Sequence, residues 1–143
     1  MRRDLSLCLA SASLLLTTMN AHTQPSIETK DWGAANGQPV RLYTLKNTGG
    51  LVMKVTDYGA IITELHAPDR DGKSADIVLG HDSIDGYLAG HPYFGTIAGR
   101  CANRIARGQF ELDGKAYQLV TNNGPNHLHG GVKGFDKHVW EAR

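Results

Sequence analysis

From Val40 onward the apolar residues of this chain recur with a period of two, and that alternation limits the fold more than any other feature. Val40, Leu42 and Thr44 alternate with Arg41 and Tyr43. Leu51, Met53 and Val55 alternate with Lys54 and Thr56. Ile61, Thr63 and Leu65 alternate with Ile62, Glu64 and His66. Side chains two apart share one face of a strand, so each run predicts a strand with one face suited to a core. Turn signals separate the runs: Asn47-Thr48-Gly49-Gly50, Tyr58-Gly59 and Pro68-Asp69-Arg70-Asp71-Gly72. Asp76 to Gly80 reads as a further short strand. Phe110–Leu112 and Tyr117–Leu119 flank Asp113-Gly114, a dipeptide that accepts the positive φ of a tight hairpin turn. Ser83 to Ala89 has room for one helical turn. The 17 glycines in 143 residues fit short strands joined by many turns. Together these signals predict an antiparallel all-β protein.

Charge excludes some partners. The formal net charge is +1, with basic and acidic residues interspersed. There is no basic stripe for nucleic acid and no acidic tail. A hydrophobic content of 41% fits a folded globular chain. The start stands apart. Met1-Arg2-Arg3 is basic, Leu5 to Leu16 is apolar or small apart from serines, and polar residues follow from Thr17. This layout predicts a secretory signal peptide over residues 1–21, cleaved after Ala21, with residues 22–143 as the mature part. The apolar run is too short for a permanent membrane span, so no membrane association is expected after cleavage. Export implies a periplasmic or secreted protein. Cys8 lies in the apolar run without the context of a lipoprotein signal. Only Cys101 remains after cleavage, so no internal disulfide is expected in residues 22–143. Cys101 itself reads as a small buried hydrophobe.

Two stretches concentrate hydrogen-bonding groups. Gly99-Arg100-Cys101-Ala102-Asn103-Arg104-Ile105-Ala106-Arg107-Gly108 is basic and carries one Asn, but it is not a phosphate-binding loop. In a regular strand Asn103 and Arg104 would point to opposite faces unless the chain is bulged. The second stretch is Asn122-Asn123-Gly124-Pro125-Asn126-His127-Leu128-His129-Gly130-Gly131, whose first part is a turn by local physics. His127 and His129 would share one side of a strand, a spacing able to chelate a metal. Two ligands do not make a site, and no spacing selects a third from His138, His91 or Asp136, so no metal is assigned. The plain reading is two loop histidines meeting water. The sharper one is an imidazole donating to a ligand hydroxyl, with Gly130-Gly131 admitting close backbone approach.

These residues carry a resemblance. "YTLKNTGGLVMKVTDYGAIITELHAPDRDGKSADIVLG", "IDGY", "YFGTIAGRCANRIARGQFELDGKAYQL" and "NNGPNHLHGGVKGFDKHVW" occur in an order that resembles the aldose 1-epimerase (galactose mutarotase) family, from about Asp31 to the end. The resemblance implies a large antiparallel β-sandwich, of which this chain is the N-terminal part. It implies interconversion of the α and β anomers of free aldohexoses by acid–base ring opening, with no cofactor. Carried over by position, Asn103 and Arg104 of Asn-Arg-Ile bind sugar hydroxyls, and His129 of Leu-His-Gly-Gly orients the sugar. The family's second histidine, its general acid, and its Asp and late Glu have no counterpart here and are expected beyond Arg143. Residues 22–143 alone are therefore expected to be inactive. His91-Pro92-Tyr93-Phe94 looks like the motif around that second histidine but precedes Asn-Arg-Ile, so His91 takes no such role. The alternative function is a non-catalytic carbohydrate-binding protein on the same fold that keeps Asn103, Arg104 and His129. A relative acting on phosphorylated hexose fits less well with the Leu-His-Gly-Gly context and with export.

Overall fold

The structure, a computed structural model, describes residues 24–143. The predicted leader lies outside the described residues. Five strands form one antiparallel meander in the order β1-β2-β3-β4-β5: β1 (Ser26–Ala35), β2 (Gln38–Lys46), β3 (Val52–Thr56), β4 (Ile62–Pro68) and β5 (Ser74–Asp76). A five-residue helix follows, α1 (Ile84–Leu88). Two small antiparallel pairs complete the chain: β6 (Arg104–Ile105) with β9 (His127–Leu128), and the hairpin β7 (Gln109–Leu112) with β8 (Lys115–Gln118). The architecture is strand-dominated, as the alternation predicts, and Asp113-Gly114 closes the β7–β8 hairpin with positive φ at both residues.

The alternation misses β1. Most of that strand is exposed, with Glu28, Lys30 and Asp31 along it, so it carries no hydrophobic period to detect. Asn36 and Gly37, at φ +52° and +76°, form the two-residue loop that pairs Ala35 with Gln38. The strand expected over Asp76–Gly80 is replaced by a shorter one ending at Asp76. There the Asp76 carboxylate accepts the N–H groups of Leu65 (2.9 Å) and Val78 (3.2 Å), which ends the regular ladder.

The core lies on one face of the meander. Ala35, Val40, Tyr58, Ile61, Ile84 and Tyr87 are fully buried together, with Trp32 and Val139 packed against them. The helix α1 exists because Ile84 and Tyr87, three apart, can both face this cluster. Tyr43, Leu45, Met53, Val55 and Leu65 occupy the other face, and with Ile27 they line two open apolar hollows. Ile61, which the alternation puts with Val55 and Leu65, does not join them. The register slips between Lys54 and Val55, so Val55 pairs with Ile62 and Ile61 turns into the core.

One joint connects the core to the polar segments. The β3–β4 turn receives the stretch 135–140: the Gly59 N–H donates to His138 C=O (2.7 Å), Tyr58 bridges to Val139, and the Trp140 N–H donates to Asp57 C=O (2.8 Å). Asp57 is braced in turn by the Arg41 N–H on its carboxylate (2.9 Å). Gly59 has φ +67°, and a Cβ there would lie 2.5 Å from the Asp136 carbonyl oxygen. Only glycine fits, since both the conformation and the space exclude a side chain.

Strands β3 and β4 carry a charged cluster in which Glu64 contacts both Lys54 and His66. Partial burial pushes the Glu64 carboxyl up, but hydrogen bonds from Lys54 and His66 outweigh it and leave it below its ordinary value. Asp76 behaves alike: burial raises it, while the Leu65 and Val78 N–H groups pull it below its ordinary value. A carboxyl depressed in the folded state adds stability above its unfolded pKa, and that stability is lost as pH falls through the folded value. Stability should therefore decline with acid below about pH 4, and Glu64→Gln and Asp76→Asn should each flatten part of that decline. Denaturant melts across this range check it; an unchanged acid slope in both variants would show that the two carboxyls are not responsible.

Candidate functional site

The geometry is set by two residues distant in sequence. The His129 N–H donates to Asn103 C=O (3.1 Å), and the Asn103 N–H donates to His129 Nδ1 (3.0 Å). The flanking pairing of Arg104 with Leu128 and Ile105 with His127 carries the two segments side by side. Asn103 and His129 stand at φ +59° and +49°. Left-handed backbone at non-glycine residues is uncommon, and here it releases both from strand alternation. Asn103 and Arg104 consequently meet instead of pointing apart: Arg104 Nη1 donates to Asn103 Oδ1 (3.3 Å), and Arg104 Nε donates to Asn123 Oδ1 (2.9 Å). The three residues singled out in the sequence, Asn103, Arg104 and His129, thus form one constellation.

The hydrogen bonds also fix the chemistry that faces outward. A guanidinium only donates, so both asparagines must present their oxygens to Arg104 and keep their amide N–H groups for other partners. A backbone N–H only donates, so Nδ1 of His129 must be the lone-pair nitrogen and Nε2 carries the hydrogen of the neutral ring. Arg104 and Asn103 are exposed and His129 is half-buried. The constellation therefore offers N–H donors from three side chains, suited to hydroxyl, ring or carbonyl oxygens.

His127 differs from its neighbour. It is 5% exposed, and its Nδ1 lies 2.8 Å from Val120 C=O, which can only accept. Its Nδ1 is therefore protonated, and the ring ties β9 to the segment after β8. Neither loop exposure nor chelation with His129 describes it, because the turn at His129 breaks the shared strand face. Among the described residues, no three His, Cys, Asp or Glu side chains converge closely enough to hold a metal. Cys101 is exposed rather than buried, since residues 100–103 run as irregular chain over the surface.

Sequence reasoning missed three contributors. Asn122 clamps Leu128, accepting its N–H (2.8 Å) and donating to its C=O (3.0 Å), so a side chain extends the sheet by one position. Asn123 orients Arg104. The signal was the amide pair beside the histidines, which the turn reading of Asn-Gly-Pro absorbed. Tyr93 packs on His129 with ring centroids 4.5 Å apart at 54°, and Lys137 Nζ sits 5.4 Å from the Tyr93 ring centroid. Nothing in the local sequence joins Tyr93 to His129. His91 lies one ring further out, at 6.1 Å from Tyr93. Burial pushes its imidazole below the ordinary value; Asp136 partly opposes this, and Lys137 and His81 reinforce it.

Residues 41–143 match the family model described as Aldose 1-epimerase. The chain is 56% identical to bovine galactose mutarotase over 93 residues, which is 65% of this chain and 27% of the relative. It is 40% identical to the aldose 1-epimerase of Escherichia coli K12 over 108 residues, 76% of this chain and 31% of the relative. Its fold superposes on galactose 1-epimerase from Lactobacillus acidophilus with a TM-score of 0.71 at 30% identity, covering 84% of this chain and 34% of that one. An aldose epimerase homologue from C. elegans gives 0.63 at 33% identity, covering 84% and 33%. The chain thus spans about a quarter to a third of the length of the proteins it matches.

The two histidines should show opposite neutral tautomers: hydrogen on Nε2 in His129 and on Nδ1 in His127. Long-range ¹⁵N–¹H correlation spectra of the labelled protein at about pH 8, above the ordinary histidine range, distinguish them. The same tautomer in both rings would contradict the site geometry.

Proposed function

This chain belongs to the aldose 1-epimerase family, and we propose that Asn103, Arg104 and His129 are its part of a site that interconverts the α and β anomers of free aldohexoses such as glucose and galactose. What supports this is the reciprocal Asn103–His129 pairing with Arg104 held beside it, an array whose outward groups are N–H donors. A pyranose presents a ring oxygen and a rim of hydroxyls, all of which accept. Ring opening moves electron density onto the ring oxygen as the anomeric hydroxyl loses its proton. N–H donors fixed in place before the reaction stabilise such charge better than reorienting water does. Arg104, braced through Nε and Nη1, has Nη2 left for sugar oxygens. His129 Nε2–H adds a neutral donor that holds the sugar in register. The proton acceptor and donor of the reaction complete the chemistry from groups outside these three.

Loss of one charge-assisted hydrogen bond costs roughly 1.5–3 kcal/mol. In the full-length protein, Arg104→Ala should therefore lower kcat/KM by about ten- to a hundredfold or more, and His129→Ala, which removes a neutral donor together with the acceptor of the Asn103 N–H, by about tenfold. His127→Ala should act through stability instead. Polarimetry on freshly dissolved α-glucose or α-galactose reads the rates. Unchanged kinetics in both variants would remove these residues from the site. Sugar binding that depends on Arg104 without any rate above buffer would favour a carbohydrate-binding protein on the same fold.

The site is further proposed to work outside the cytoplasm. The basic start, short apolar run and polar exit of residues 1–21 support this. N-terminal sequencing of the exported protein should give a start near His22, and an intact Met1 on a cytoplasmic product would sink the proposal.

A further inference from the structure

We propose that Tyr93, backed by Lys137 and Asp136, is a positioning residue for His129: its ring fixes the plane of the imidazole and so the direction of the Nε2–H bond. The proposal rests on the hexose-site reading above. The hydrogen bond from the Asn103 N–H holds His129 at one atom, Nδ1. A ring held at one atom can still tilt about that contact. A second contact on its surface removes the tilt, and Tyr93 supplies one, with centroids 4.5 Å apart. A donor aimed at a reacting centre is useful only when its direction is set beforehand.

Three observations mark Tyr93 independently of that contact. Its backbone is at φ +62°, a conformation that bulky residues adopt only when their surroundings impose it. It thus joins Asn103 and His129, so that three left-handed non-glycine residues meet at one point. Of the four others among the described residues, Asn36 and Asp113 each sit in a two-residue hairpin turn, where a positive φ is ordinary, Ala60 lies in the β3–β4 turn, and Arg107 kinks the short helical turn Ala106–Gly108. Next, the Lys137 ammonium stands 5.4 Å from the Tyr93 ring centroid. Lys137 is held in turn by Asp136, which is 1% exposed. Last, Asp136 belongs to the segment that docks on the β3–β4 turn, so the stack Asp136–Lys137–Tyr93–His129 is tied to the core. With a cation over its ring and an imidazole against it, Tyr93 is engaged by protein groups and is not a free platform for stacking a sugar.

The test combines kinetics with the imidazole signature in the full-length protein. Tyr93→Phe should leave both within about twofold, because the ring and not the hydroxyl makes the contact. Tyr93→Ala and Tyr93→Gly should each lower kcat by about tenfold with a smaller change in KM, as expected when a group shapes the transition state more than the ground state. Both should also broaden or shift the His129 ring ¹⁵N signals while leaving those of His127 unchanged. The glycine variant relaxes the backbone, so an equal loss in both assigns the effect to the ring and not to strain. Lys137→Met should move the His129 signals in the same direction by less, and Lys137→Arg should restore them. Thermal melts identify variants that fail to fold, and Tyr93→Leu then replaces the alanine. Unchanged kcat and unchanged His129 signals in Tyr93→Ala would overturn the proposal. A rise in KM at constant kcat would overturn it too, by making Tyr93 a sugar contact. Absence of mutarotation in the wild type would refute the hexose reading, while the His129 signals would still decide whether Tyr93 positions the ring.

Discussion

Close backbone-on-backbone packing at the β3–β4 turn is the constraint from which the polar half of this structure hangs. Gly59 lets the turn approach the Asp136 carbonyl so closely that a Cβ would lie 2.5 Å from its oxygen. Three contacts follow within a few residues: Gly59 to His138, Tyr58 to Val139 and Asp57 to Trp140. Because Tyr58 is itself part of the buried core, the segment carrying Asp136 and Lys137 inherits the rigidity of the meander. A second close approach lies nearer the site, where Gly130, at φ +91°, passes over the Gly99 carbonyl. The Phe135 N–H bonds to that same carbonyl at 3.1 Å, drawing the two polar stretches together. Backbone contacts of this kind are short and directional, and they define position more narrowly than apolar side-chain packing does.

On that frame the site is made of residues taken out of regular structure. Asn103 and His129 leave strand geometry through positive φ and bond each other reciprocally. Such conformations cost on the order of 1–3 kcal/mol each and persist where the surroundings over-determine them. Here the surroundings are amide side chains: Asn122 completes the ladder at Leu128, and Asn123 and Asn103 together hold Arg104. Arginine, a pure donor, forces the orientation of both amides that hold it, and a backbone N–H forces the tautomer of His129. One set of bonds therefore fixes position and chemical character together.

Much of this was legible in the residue order. The alternation from Val40 to Leu65 determined three of the five strands of the meander, β2 to β4, because a period of two admits only extended chain with one face inward. Asp113-Gly114 determined its hairpin for a reason local to two residues. The ordered motifs around Asn103, Arg104 and His129 determined the family, which the match over residues 41–143 bears out. Tertiary structure decided the rest. Ile61 went to the core because a register slip at Lys54–Val55 reversed its face, and no local pattern records such a slip. His127 became a buried strut and His129 an outward donor, although they share a motif and a residue type. Their tautomers depend on Val120 and Asn103, partners brought by the fold and not by the neighbouring sequence. Tyr93 met His129 for the same reason. Periodicity and turn chemistry act over a few residues, so the sequence alone can determine them. A hydrogen-bonding role is a relation between distant residues, and only the folded chain decides it.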